Sequence, residues 1–368
     1  MGSKRRLLEN GLGTIVEREA ASARRFIDLF AGSAAVSHFA AEHSAAQVVS
    51  VDLQSYSAIL ALAVTGRGDA LGDAFVGRFV EQVQSTEAFK RWTGASQVAS
   101  KSDVERARTA ASESSGVIAR AYGGHYFGLE QAQLFDAALA LLPRSVPRRN
   151  VLLASIISAA SKCAAAPGHT AEPIAPTETG LPHIAAAWSV DPLPTIEKTA
   201  KELCRLHAQV PGRAFTADAR RALAWLRPSS DDVVFIDPPY SAVQYSRFYH
   251  VFETIARGEC GEVSGRGRYP DAARRPRSLY SLKSGAPSAL DALLDKLQKA
   301  SCRVILTYPA HMCSNGLSGE SVVAMTANHY EVEQLDVAST FSTLGGSKGN
   351  RGARQSAKEL VIVMRPTN

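Results

Sequence analysis

The sequence predicts an α/β fold: an open, mostly parallel sheet with helices on its faces, interrupted by a long, mostly helical insertion. Three observations carry this. Val233, Val234, Phe235 and Ile236 form a continuous apolar run that halts at Pro238 and Pro239. Such a run reads as a parallel strand covered on both faces. Neither proline can donate to a ladder, so the strand ends there. A second apolar run, from Phe26 to Phe30, enters the small-residue turn Ala31, Gly32, Ser33, Ala34, and a helix begins near Ala35. Between residues 56 and 211 the apolar spacing turns mainly helical.

The elements follow in order. A helix is expected over about residues 9–23, ahead of the strand at Phe26. Val48 to Val51 give the next strand, which ends in Asp52. The insertion shows helical spacing at 73–89, 103–121, 129–142 and 151–165. A proline-rich stretch, 167–194, reads as an extended loop. A short strand then ends in Asp218, followed by a helix to Leu226. After residue 240, Phe248, Phe252 and Ile255 share one helix face. Further strands are expected at 303–308, 330–335 and 360–364, with a helix at 319–327. Two loops, 258–287 and 344–354, are rich in glycine and arginine.

The composition bounds the function. The chain has 368 residues, 45% hydrophobic and 21% charged, as soluble globular proteins do. It has no clean apolar run of membrane-spanning length. No apolar core follows Met1 to Arg6, so no secretory leader is expected. The five cysteines lack CxxC or metal-ligand spacing. They read as free thiols in a reducing cytoplasm, and no metal is expected. His125 and His169 have no carboxylate or cysteine cluster beside them, so structural roles fit them better than metal or acid–base chemistry. The net charge of +6 suits a polyanionic partner without requiring one. Between Glu259 and Lys283, five arginines and one lysine face two glutamates and one aspartate. Arg266, Arg268, Arg274, Arg275 and Arg277 are candidates to track phosphates, as are Lys348, Arg351 and Arg354 in the later loop. A solvated flexible loop is the competing reading.

Asp237 and Tyr240 stand on a stiff Pro-Pro loop at the carboxyl end of a strand. Open α/β sheets place their ligand sites there. Gly32 lets a ligand approach the main chain, and the exposed amides of the helix that follows suit a polar group. Asp52, about twenty residues on, is placed to hold ribose hydroxyls. A helix cap for the segment from Ser55 competes with that reading.

Asp237-Pro238-Pro239-Tyr240 resembles the catalytic loop of amino-group methyltransferases acting on nucleic-acid bases, above all the Dam-type (D12 class, alpha-group) N6-adenine DNA methyltransferases. Phe26 to Val36 resembles their S-adenosylmethionine motif, with Ala34 where the family usually has a second glycine. Gly2-Ser3-Lys4 resembles their opening element. The Tyr245-Ser246-Arg247-Phe248-Tyr249 stretch, the segment around Tyr126 and Phe127, and Gly168-His169-Thr170 also look like recurring features of the group. The resemblance implies a Rossmann-like methyltransferase sheet built from residues 1–55 and 212–368. It implies that the insertion, 56–211, carries target recognition.

The same resemblance implies S-adenosylmethionine as cofactor, near Lys4, Asp28, Phe30, Ala31, Gly32, Ser33, Asp52, Asp218 and Asp237. Asp218 would bind the adenine amine of the cofactor; a helix cap is the alternative. It implies double-stranded DNA as substrate, with a flipped adenine. Asp237 and the Pro238 carbonyl would accept hydrogen bonds from the amine, with Pro238 freezing the geometry on the stiff Pro238-Pro239 loop and Tyr240 stacking on the base. Tyr245 and Arg247 would close over the base or bind a phosphate. A cytoplasmic, nucleoid-associated enzyme is expected, with a restriction or defence system as a possible partner. The alternatives are cytosine N4 or an RNA adenine as acceptor, or a weakly catalytic nucleic-acid-binding protein of the same fold.

Overall fold

The computed structural model describes residues 3–92, 94, 98–341 and 355–367. The chain divides into two compact units. The first comprises Met1–Asp69, His207–Tyr245 and Arg277–Asn368, and the second Ala70–Leu206 and Ser246–Pro276. These limits differ from those expected. The helix Ser55–Thr65 packs on the sheet of the first unit, and the segment after Tyr245 joins the helical one. Sequence-local patterning cannot reveal either association, because both depend on partners far along the chain.

The first unit is built on one seven-stranded sheet. Its strands are β1 (Arg25–Asp28), β2 (Gln47–Asp52), β3 (Arg213–Thr216), β4 (Asp232–Ile236), β5 (Arg303–Pro309), β6 (Tyr330–Phe341) and β7 (Gln355–Pro366). In space the order is β3-β2-β1-β4-β5-β7-β6. The first five run parallel; β7 pairs antiparallel with both β5 and β6. Every residue of β4 is buried, as its apolar run requires. Alternate residues serve opposite faces. Ile27, Val49, Val234 and Leu306 pack with the helices Ala219–Leu226 and Ala286–Lys299. Phe26, Val48, Phe235 and Ile305 pack with Gly13–Ala20 and Ala35–His43. The chain leaves β1 for β2 on one side, while β4 flanks β1 on the other. That reversal makes a crevice at the carboxyl ends of β1 and β4.

The opening helix departs from expectation. It runs Ser3–Leu7, widens through Leu8–Leu12 and resumes at Gly13–Ala20. The break falls at Asn10 and at Gly11, whose φ is 118°. The effect is to bring Lys4 into an ordered helix.

The second unit is mostly helical. Its longest helix, Val146–Cys163, is buried along most of its length. The stretch 167–194, expected as a loop, instead contains Leu181–Trp188 and the start of Pro192–Arg205. Asp191 caps the latter by accepting from the Leu193 amide at 2.8 Å. The region 258–287 is also more ordered than expected. Val263–Ser264 pairs antiparallel with Tyr269–Pro270, and Ala272–Arg274 forms a 3-10 turn. The basic stretch 344–354, with Lys348, Arg351 and Arg354, lies outside the described residues. Among the described residues, no helix is long and apolar enough to cross a membrane. None of their His, Cys, Asp and Glu side chains gather in groups of three or more fit for a metal.

Candidate active site

The glycine turn after β1 is held by its own backbone and by two acids. The Ala31 amide donates to the Val51 carbonyl at 3.0 Å. Gly32 takes φ 51°, in the left-handed region that glycine tolerates, and its amide donates to Asp52 Oδ2 at 2.9 Å. Asp52 Oδ1 accepts from the Gln54 amide at 2.9 Å. Asp52 therefore braces the turn. It is not the helix cap: that position falls to Gln54, whose side chain makes no cap bond. Ala34, the departure from the family pattern, sits buried at φ 61° as the cap residue of Ala35–His43. The family's preference for glycine there has a plain cause, since a left-handed residue with a Cβ costs about 1–2 kcal/mol.

Asp28, expected near the cofactor, lies beneath the turn. Its carboxyl is 1% exposed and points inward. It accepts from Ser37 Oγ at 2.7 Å and from the Phe30 amide at 3.3 Å, and Ser50 Oγ donates on to Ser37. It shapes the turn from beneath. Burial pushes its pKa up to about 7, and the nearby Asp237 and Asp52 charges add to the rise.

Asp218 caps the helix Ala219–Leu226. Oδ1 accepts from the amides of Arg220 and Arg221, at 3.1 and 3.3 Å. Asp218 thus serves as the helix cap through Oδ1. Tyr280, which the sequence did not single out, meets the Phe30 ring edge-on with centroids 5.0 Å apart. Its hydroxyl is buried and finds no hydrogen-bond partner among the described residues. Burial raises this phenol, and the Asp218 charge adds to the effect.

Asp237 follows β4 and is the focus of a polar cluster. Lys4 Nζ lies 2.8 Å from Asp237 Oδ1 and 2.9 Å from Thr307 Oγ1. Thr307 in turn donates to Asp237 Oδ1 at 2.9 Å. Glu359, on β7, pairs with Lys4 from the other side. Side-chain exposure is 13% for Lys4 and 21% for Asp237. Burial opposes the Lys4 charge, but the two acids outweigh it and hold the ammonium above its ordinary pKa. Burial raises Asp237; Lys4 opposes the rise and Glu359 adds to it. Lys4, expected beside a cofactor, is thus engaged with Asp237. Thr307 and Glu359 were missed: each is one polar residue in or beside an apolar strand run, a signal too common to single out.

Tyr240 is half-buried and meets Tyr245 edge-on, with centroids 6.3 Å apart. Pro238 is buried. Asn315 Nδ2 donates to the Pro239 carbonyl at 2.8 Å.

The basic residues divide. Arg277, in the first unit, and Arg274 are exposed. Arg274 lies 3.8 Å from Glu259, and Arg266 lies 3.5 Å from Glu172. Arg247 and Arg275 both lie over the Tyr269 ring, at 4.8 and 5.3 Å from its centroid. Arg268, expected to track phosphates, is half-buried and engaged with the main chain. Its guanidinium donates to the carbonyls of Ala121 and Arg120, at 2.9 and 3.2 Å, closing the end of the helix Val117–Tyr122. The aromatic and Gly-His-Thr stretches meet: the Tyr126 hydroxyl donates to the Thr170 carbonyl at 2.7 Å. Thr170 in turn donates to the Phe248 carbonyl through both its amide and its hydroxyl. His169 packs on Phe248. Burial lowers the pKa of His125 to about 3.

A mostly parallel sheet in this order, with a glycine turn after its first strand, is the fold of a Rossmann-like methyltransferase. The sequence matches the D12 class N6 adenine-specific DNA methyltransferases over residues 1–114 and 207–277, half of the chain, and the protein belongs to that family. It is 32% identical over 134 residues to modification methylase LlaI of Lactococcus lactis subsp. lactis, covering 36% of this chain and 18% of that protein. It is 31% identical over 96 residues to modification methylase StsI of Streptococcus sanguinis, covering 26% of this chain and 14% of that protein. The chain thus spans less than a fifth of either relative's length. Membership of a methyltransferase family implies a methyl donor.

Proposed function

We propose that the protein transfers a methyl group from S-adenosylmethionine to the N6 amine of adenine in double-stranded DNA. The observation that carries the reading is Asp237 on the Pro-Pro loop after β4, its Oδ1 gripped by Lys4 and Thr307. That grip fixes the carboxylate and leaves Oδ2 as the oxygen that would accept from an amine. An exocyclic purine amine is a poor nucleophile because its lone pair is delocalised into the ring. Accepting hydrogen bonds from it, at Asp237 and at the Pro238 carbonyl, favours a tetrahedral nitrogen and frees the lone pair. Two successive prolines keep both acceptors in place, so the alignment costs little at the moment of reaction. Tyr240 would stack on the flipped base.

The residues around the glycine turn suit the cofactor. The space beside Gly32 is open: among the described residues a Cβ there would meet only the Phe30 carbonyl, at 3.8 Å. The Gln54 side-chain oxygen and the Tyr280 hydroxyl are buried polar atoms with no partner among the described residues; the Gln54 amide bonds Asp52, and the Tyr280 ring meets Phe30. Such atoms are normally satisfied, so a polar ligand at this turn fits them. Asp52 and Gln54 would face ribose hydroxyls, and Phe30, Asp218 and Tyr280 the adenine. When bound, the cofactor supplies a methyl group already activated on a sulfonium.

The helical unit would carry target recognition, and Arg266, Arg274 and Arg277 would contribute phosphate contacts. The two relatives are modification methylases by name, which supports a role in a restriction-modification system. The test is incubation of the protein with unmethylated duplex DNA and isotope-labelled S-adenosylmethionine, followed by mass spectrometry of the nucleosides. Label on N6-methyladenine is expected. Label on cytosine, or none, would overturn the reading.

A further inference from the structure

Asn315 lies in the loop after β5 and is fully buried. Its Nδ2 donates to the carbonyl of Pro239 at 2.8 Å and to that of Tyr280 at 3.1 Å. Its Oδ1 accepts from the Tyr308 hydroxyl at 3.0 Å and from the Leu317 amide at 3.4 Å. Both amide hydrogens and both oxygen lone pairs are engaged, which offsets the cost of burying so polar a group. The Tyr308 hydroxyl also sets the orientation. By donating to Oδ1 it keeps Nδ2 turned to the two carbonyls.

What Asn315 joins matters more than the number of bonds. Pro238 and Pro239 have no amide hydrogen, so carbonyl oxygens are the only polar main-chain groups of that dipeptide. One of them, at Pro238, is the acceptor assigned to the substrate amine. The other, at Pro239, is held by Asn315. The second donor bond reaches Tyr280, whose ring packs on Phe30 of the glycine turn. Neighbouring bonds tie the same segments: the Ala242 amide donates to Ser314 Oγ at 3.0 Å, and Gln244 exchanges two bonds with the backbone of Ser278.

We propose that Asn315 is a positioning residue that fixes the aim of the acceptor loop and its register against the Phe30–Tyr280 wall. This rests on the reading of residues 237–240 as the loop that receives the amine. Asn315 reaches the amine only through Pro239, so it should govern the rate of transfer rather than the affinity for either substrate. A displacement of about 1 Å at such a loop costs on the order of a hundredfold in rate.

The experiment compares the parent with Asn315→Asp, Asn315→Ala and Tyr308→Phe. Asn315→Asp sets an acceptor against two carbonyls, and Tyr308→Phe frees the amide to flip. Hydrogen exchange is followed by mass spectrometry for residues 240–245 and for β4. Single-turnover methylation of duplex DNA at saturating cofactor and DNA is measured with KM for DNA and affinity for S-adenosylmethionine. Exchange should rise in 240–245 while β4 stays protected. The single-turnover rate should fall about a hundredfold for Asn315→Asp and less for Tyr308→Phe, with KM and cofactor affinity within a few-fold of the parent. Unchanged loop exchange would overturn the proposal, as would faster exchange with a parental rate. Loss of β4 protection in all three variants would also overturn it, reducing Asn315 to a support of the whole fold. A parent that methylates no DNA would overturn the functional reading instead, and the exchange measurement would still decide whether Asn315 holds the loop.

Discussion

The buried Asp28 shows how much one side chain's direction decides. From the sequence it is a carboxylate at the end of a strand, as ready to meet a ligand as Asp52. The structure turns it inward, onto Ser37 and the Phe30 amide. A rotamer of this kind is fixed by packing and leaves no mark in spacing. Its pKa, raised by burial to about 7 from an ordinary value of 3.8, makes it a stability sensor. Between about pH 4 and pH 7 the folded state keeps a proton that the unfolded chain has given up, so stability falls as the pH rises through that window. The loss from this one group is on the order of a few kcal/mol. Asn at this position keeps the shape without the titration. Urea midpoints at pH 5 and pH 8 should therefore separate more for the parent than for Asp28→Asn. Equal separations would show that Asp28 titrates in its ordinary range.

Among the elements, β1 and β4 are held together at the end opposite the site. Arg25 and Asp232 are in register there. The guanidinium grips the carboxylate through both its oxygens, at 3.0 and 2.6 Å, and Asp232 is wholly buried. Removing one partner of a buried pair costs about 3–5 kcal/mol when the other charge is left alone. Asp232 also meets Arg24 at 3.3 Å and accepts from the Ser229 amide at 2.9 Å. Arg25→Ala should therefore lower stability to urea by less than that and leave the transfer rate per folded molecule unchanged. A loss of the full amount would mean that Arg24 does not hold the Asp232 charge. β4 was legible because a buried parallel strand reads as an unbroken apolar run, and β1 because Phe26 and Ile27 lead into the small-residue turn. The helices Leu181–Trp188 and Pro192–Arg205 were not, because proline is as much at home in a helix's first turn as in a loop. Pro182 and Pro192 sit there.

For the molecule as a whole, the order of motifs was readable and the division into units was not. Residues 246–276 join the helical unit through bonds such as those from Arg268 to the carbonyls of Ala121 and Arg120, far back in the chain. Charge alone marked Arg268 as equal to its neighbours. The structure separates them. Arg274→Ala and Arg277→Ala should each flatten the salt dependence of DNA binding by about one phosphate's worth. Arg268→Ala should lower stability instead. An unchanged salt slope in the first pair would place the phosphate path elsewhere. S-adenosylmethionine at a hundred times its Kd should stabilise the folded protein by about 2.7 kcal/mol. That gain should appear as a higher melting temperature, and no shift at saturation would contradict the cofactor assignment.

The most direct test of the central claim is single-turnover methylation of duplex DNA by Asp237→Ala, with affinity for S-adenosylmethionine measured in parallel. The account predicts cofactor binding close to that of the parent and a rate lower by roughly a hundred- to a thousandfold, the loss of about 2.7–4 kcal/mol of transition-state stabilisation. Transfer at the parental rate would contradict it, and residues 237–240 would then be a structural turn.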